Sequence, residues 1–113
     1  MAVSVRLEFI YTPLFEASAK GLLDEEAMRQ LETTLLRDPQ QGDVVAGTGG
    51  VRKLRAALPG RGKRGGARVI YLYVTVRGRV YFLLAYAKNR QVDLTPAEKR
   101  AVHAMARQLE REV

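Results

Sequence analysis

The chain has no cysteine and a single histidine among its 113 residues. Disulfides and thiolate metal sites are therefore excluded, and a zinc site has too few ligands. The cysteine count also fits a reducing compartment. Long apolar runs are missing as well. The longest, Val80 to Ala87, is far too short to cross a bilayer, and the segment from Met1 to Arg6 lacks the apolar stretch of a signal peptide. These features lead us to expect a cytoplasmic protein with no membrane association, one domain spanning residues 1–113.

Acid is absent from one long region. Between Val44 and Val92 there are eleven Lys/Arg and no Asp or Glu, while the rest of the chain holds all twelve acids and only eight cations. The net charge of +7 is thus concentrated in the middle of the sequence. A segregated basic field points to nucleic acid, an anionic membrane or an acidic protein partner. A basic face kept only for solubility would not require such segregation.

What is present reads as an α+β domain. Val3 to Tyr11 alternates between apolar and polar residues, as a half-buried strand does. Thr12-Pro13 is a helix start, and Gly21 ends that helix or bends it into the next. A second helix begins near Asp24, carries the stripe Ala27, Leu31 and Leu35, and stops at Asp38-Pro39. Residues 40–50 read as a loop. Strands follow over Val51–Leu58, Arg68–Val76 and Val80–Lys88, the last two joined by a hairpin turn at Arg77-Gly78-Arg79 and apolar on both faces, hence central. Thr95-Pro96-Ala97-Glu98 opens a final helix with a capping box. The order is β-α-α-β-β-β-α with a mainly antiparallel sheet. The two-helix hairpin should cover one face, with the basic residues on or around the other.

Familiar catalytic sets do not fit. His103 falls on the polar side of the last helix, near Lys99, Arg107 and Glu110, as a surface histidine would. Ser4 and Ser18 have no nucleophile context, and the acids show no paired-carboxylate pattern for a two-metal nuclease. Gly60 to Gly65 does not match the phosphate loop of nucleotide hydrolases. Lys, Arg, Tyr and Asn remain, and these can still cleave RNA. The ribose 2′-hydroxyl lies beside the phosphorus, so a protein need only orient it, move a proton and stabilise the charged transition state. Arg68, at a strand mouth after Gly65-Gly66, suits the scissile phosphate, with Arg61, Lys63 and Arg64 close in sequence. A lysine among cations has its charged form disfavoured and becomes a usable base. Lys63 is the first candidate for that role and Lys88 the second. Of the interleaved Tyr71, Tyr73, Tyr81 and Tyr86, one or two would face RNA and the rest the core.

The motifs Asp38-Pro39, Gly42-Asp43-Val44-Val45, Gly47 through Arg55, Gly60 through Tyr71, and Tyr86-Ala87-Lys88-Asn89 leading to Asp93-Leu94-Thr95 resemble those of RelE/HigB-type toxins of bacterial type II toxin–antitoxin systems. The resemblance is strongest to the HigB branch. It implies a RelE-like fold with a basic concave face. It implies ribosome-dependent cleavage of mRNA in the A site, without cofactor or metal, and a cognate helix-turn-helix antitoxin as partner. It carries Arg68, Lys63, Arg61 and Lys88 over as catalytic candidates. Arg52, Lys53, Arg55, Arg64, Tyr71, Tyr86 and Asn89 are the RNA-binding candidates. The chain departs from the family pattern at Ala67, where many relatives have a larger side chain, and in having no tyrosine on its last helix. A non-catalytic nucleic-acid or ribosome-binding module, or a protein that mates with an acidic partner, would use the same basic face.

Overall fold

In the computed structural model, which describes residues 6–58 and 66–112, two strands dominate. They are β4 (Ala67–Val74) and β5 (Arg79–Ala87). Both are rich in β-branched and aromatic residues and buried on both faces, so they sit at the centre of the sheet. The five-stranded sheet has the order β1-β5-β4-β3-β2, with β1 Glu8–Tyr11, β2 Asp43–Val44 and β3 Arg52–Ala56. The β1–β5 pair is parallel and the others are antiparallel.

Each helix begins where its capping chemistry places it. The Thr12 hydroxyl accepts from the Phe15 N–H at 3.2 Å and donates to the Phe82 carbonyl at 2.8 Å, so the cap of α1 (Pro13–Ala19) also anchors it to β5. Asp24 caps α2 (Glu25–Arg37) through the Ala27 N–H at 2.8 Å. Thr95 and Glu98 form a reciprocal capping box at the start of α3 (Pro96–Arg111).

The helices split between the two faces of the sheet. Phe15 and Ala19 of α1 and Leu31 and Leu35 of α2 bury against Val69, Tyr71, Val80 and Phe82. Phe9, Tyr11 and Phe15 cluster with Phe82 there, with ring centroids 5.1–6.2 Å apart. On the opposite face, Val102 and Ala106 of α3 cover Ile70, Leu72, Val74, Tyr81, Leu83 and Leu84.

Four details differ from the sequence reading. Residues 43–44 form an edge strand, because Asp43 and Val44 pair with Lys53 and Arg52. Two residues are too short to show an alternating pattern. The strand expected over Val51–Leu58 is confined to Arg52–Ala56. The expected turn at Arg77-Gly78-Arg79 starts earlier, as a 3-10 turn over Thr75–Arg77 that Gly78 closes in a left-handed conformation. Finally, the face away from α1 and α2 is not open. Helix α3 packs on it, burying its stripe of Val102 and Ala106 against Ile70, Leu72 and Leu83.

Candidate functional site

The strand register assembles one row of polar residues on the α3 face of the sheet. Arg55 of β3 lies directly opposite Arg68 of β4, and Arg68 directly opposite Tyr86 of β5. Lys88 follows β5, and its N–H donates to the Gly66 carbonyl at 2.9 Å, which holds it beside the start of β4. Like charges placed opposite each other destabilise a sheet. Among the described residues, none of these three cations makes an ion pair or side-chain hydrogen bond, whereas Arg29 and Arg79 are paired with Glu26 and Glu8. The repulsion lowers the pKa of Lys88, first through the charge of Arg55, then through desolvation and Arg68. The row is therefore a concentration of uncompensated positive charge that an anion would relieve.

Tyr86 adds a polar group to this row. It is 6% exposed, and its buried hydroxyl has no hydrogen-bond partner among the described residues. Burial raises its pKa, as do Asp93 and Glu98, while Arg68 opposes them, so the phenol stays protonated and able to donate. An unpaired buried hydroxyl costs stability, and its retention beside a cationic row has a reason if a ligand supplies the partner.

Several sequence-based assignments change. Tyr71 is not available to RNA. It is wholly buried on the α1–α2 face, where its hydroxyl donates to the Pro39 carbonyl at 2.9 Å and accepts from the Gly42 N–H at 3.0 Å. Arg52 is on that same face, and its Nη1 donates to the Gln40 and Gly42 carbonyls at 2.8 and 2.7 Å. Both residues tie the segment after α2 to the sheet. The ring of Tyr86 is too buried to stack on a base, so only its hydroxyl is a candidate contact. Lys53 shares the face of Arg55 and lies opposite Asp43, two residues along β3 from the row. Asn89 is exposed, directly after Lys88. Arg61, Lys63 and Arg64 lie outside the described residues.

The glycines from 47 to 50 have a structural role as well. Gly47, Gly49 and Gly50 have φ of +76°, +74° and +101°, which lets the chain turn between β2 and β3. Buried Thr48 braces that turn by donating to the Val45 carbonyl at 2.6 Å. His103 is half-buried rather than on an open surface. It faces this turn, and a Cβ at Gly49 would lie 3.4 Å from its Cδ2. Among the described residues, no cluster of His, Asp and Glu is arranged to hold a metal, and no helix is long and apolar enough to cross a membrane.

The chain matches known proteins over most of its length. Residues 15–112 match the family model described as the RelE toxin of the RelE / RelB toxin–antitoxin system. In fold the chain is similar to a free-state double arginine-to-alanine mutant of the E. coli toxin RelE. The TM-score is 0.52 at 14% identity, covering 86% of this chain and 93% of that one.

Proposed function

From the premise that the chain belongs to the RelE toxin family, we propose that it is a translation-inhibiting endoribonuclease that cuts mRNA in the ribosomal A site. The observation that carries this reading is the unpaired cation row of Arg55, Arg68 and Lys88 at one end of the sheet. Three like charges that make no ion pair among the described residues suit the one ligand that carries negative charge at every residue, a nucleic-acid backbone.

In this mechanism Arg68, central in the row, grips the non-bridging oxygens of the scissile phosphate, where charge grows in the transition state. Arg55 adds a second cation from the neighbouring strand. The 2′-oxygen bonds to phosphorus and the bond from phosphorus to the 5′-oxygen breaks, leaving a 2′,3′-cyclic phosphate and a 5′-hydroxyl end. Lys88 takes the proton of the 2′-hydroxyl. Arg55 disfavours its charged form, so the neutral amine is reached at a lower pH than for an ordinary lysine. Water returns a proton to the 5′-oxygen. Tyr86 donates a neutral hydrogen bond at the edge of the row. Arg61, Lys63 and Arg64, which fall between β3 and β4 in sequence, are further candidate phosphate contacts, and Lys63 is the alternative base.

The same reading makes the toxin's partner a helix-turn-helix antitoxin, its place of action the cytoplasm, and its branch of the family that of HigB. The test is induction in a bacterium followed by mapping of message ends. Wild type should arrest growth and yield cuts within translated codons. Arg68→Ala, at equal protein level, should relieve the arrest and slow cleavage by about 10²–10³-fold, the loss on removing one donor to a transition-state anion. Salt-dependent RNA binding with no cut ends in wild type would instead make the chain a non-catalytic binding module.

A further inference from the structure

A cleft of about 560 Å³ opens beside the cation row, on the far side of β5 from β4. It is lined by Ser18, Lys20, Gly21 and Leu22 at the end of α1, and by Tyr86, Ala87, Asn89, Arg90 and Gln91 where β5 gives way to the loop before α3. Its origin lies in the sheet. Strand β1 pairs with β5 only as far as Tyr11 opposite Phe82, so the last part of β5 has no neighbouring strand on that side. Ser18 fills part of the gap, accepting from the Ala85 N–H at 2.9 Å. Gly21 then turns the chain away with a φ of +76°, and nothing lies within 4 Å of where its Cβ would be.

The lining has the chemistry of a nucleotide site. Two cations, Lys20 and Arg90, stand at the cleft without an ion pair or side-chain hydrogen bond among the described residues. Leu22 contributes apolar surface. The Asn89 amide makes no hydrogen bond among the described residues, so it can both donate and accept. Gln91 is fixed by its Nε2, which donates to the Asp93 carbonyl at 3.0 Å and to Glu98 Oε1 at 2.9 Å, and this leaves its amide oxygen as an acceptor held in place. Amides that both donate and accept suit the hydrogen-bonding edges of a base. The volume lies within the roughly 300–1,000 Å³ of sites for small ligands. Tyr86 lines the cleft and is also the cross-strand neighbour of Arg68, so the two sites adjoin.

We propose that this cleft is a subsite for one unpaired nucleotide next to the scissile phosphate, with Lys20 and Arg90 holding its phosphate and the amides of Asn89 and Gln91 reading its base. The proposal rests on the reading of the chain as an RNA-cleaving toxin, and assigns to the cleft the choice of where that toxin cuts. Neither Lys20 nor Arg90 takes part in the proton transfer or in gripping the scissile phosphate.

Two measurements on the full-length chain test it. In the first, message ends are mapped after induction of wild type, Asn89→Ala and Lys20→Ala. Asn89→Ala should redistribute cuts among codons, and Lys20→Ala should reduce cleavage at all sites alike. In the second, purified proteins are titrated with short single-stranded oligoribonucleotides of different base composition. Lys20→Ala should weaken binding about tenfold for every sequence, the loss of one charge-assisted contact. Asn89→Ala should level the differences between sequences. Unchanged site choice and unchanged affinities in both variants overturn the subsite. If wild type cuts no message, the nuclease reading fails, and the oligonucleotide titration alone then decides whether the cleft holds a nucleotide.

Discussion

Arg55 and Arg68 face each other across neighbouring strands with Lys88 beside them, and this local conflict defines how each residue should respond to change. Lys88→Arg keeps the charge but cannot supply a neutral amine. It should preserve RNA affinity within about threefold while abolishing cleavage, and Lys88→Ala should lower both. With Lys88 as base, the wild-type rate should rise with pH and level off below the pH of an ordinary lysine, since its pKa is lowered. A rate that falls as pH rises would make Lys88 a proton donor instead. On the other face, Tyr71→Phe should cost about 1–3 kcal/mol, because the buried Gly42 N–H loses its acceptor. Thermal unfolding measures that loss, and RNA affinity below the melting temperature should be unchanged. Gly42→Ala should destabilise by a similar amount, as its Cβ would meet the Tyr71 hydroxyl at 2.7 Å.

Among the elements, α3 has the most to hold in place. Its apolar side shields Ile70, Leu72 and Leu83 of the central strands. Arg77 grips its far end, donating through Nη1 to the Leu109 carbonyl at 2.6 Å. At its start the capping box ties Thr95 to Glu98, and Gln91 extends that tie into the loop that borders the cleft. Hydrogen bonds from Thr95 and Gln91 hold the Glu98 pKa low against burial, which raises it. Glu98 is therefore bound in its ionised form, and that stabilisation is present above the ordinary carboxylate range and fades as pH falls through the lowered value. Thr95→Ala should cost about 1 kcal/mol in chemical denaturation. It should also disturb cut-site choice more than Asp24→Ala, which removes an equivalent cap from α2, on the other face of the sheet.

At the scale of the whole molecule, charge is divided across the sheet. Residues 8–38, which form β1, α1 and α2, carry seven acids against three cations, whereas the cation row lies on the α3 face. Such a division orients an approaching polyanion toward the row and away from the acidic first turn of α2 at Glu25 and Glu26. The affinity for single-stranded RNA should therefore fall steeply with salt. Each phosphate neutralised contributes about 0.7 to the slope of log affinity against log salt. Arg55→Ala should lower that slope by about this amount, and Glu25→Gln on the opposite face should leave it unchanged.

The sequence by itself determined the helix starts at Thr12, Asp24 and Thr95, the central position of β4 and β5, and the acid-free region from which the site is drawn. These are local properties, set by capping chemistry, hydrophobic periodicity and composition, and they need no partner from elsewhere in the chain. Only the tertiary structure decided which cations share a face. A strand's side chains alternate, so Arg52 and Arg55 part company, and the first becomes a structural tie while the second meets Arg68. The same alternation sent Tyr71 into the core. Pairing register placed Arg68 between Arg55 and Tyr86, and the early end of the β1–β5 pair opened the cleft at Lys20. Register, strand length and the face each helix covers depend on contacts between residues distant in sequence, which no local pattern records.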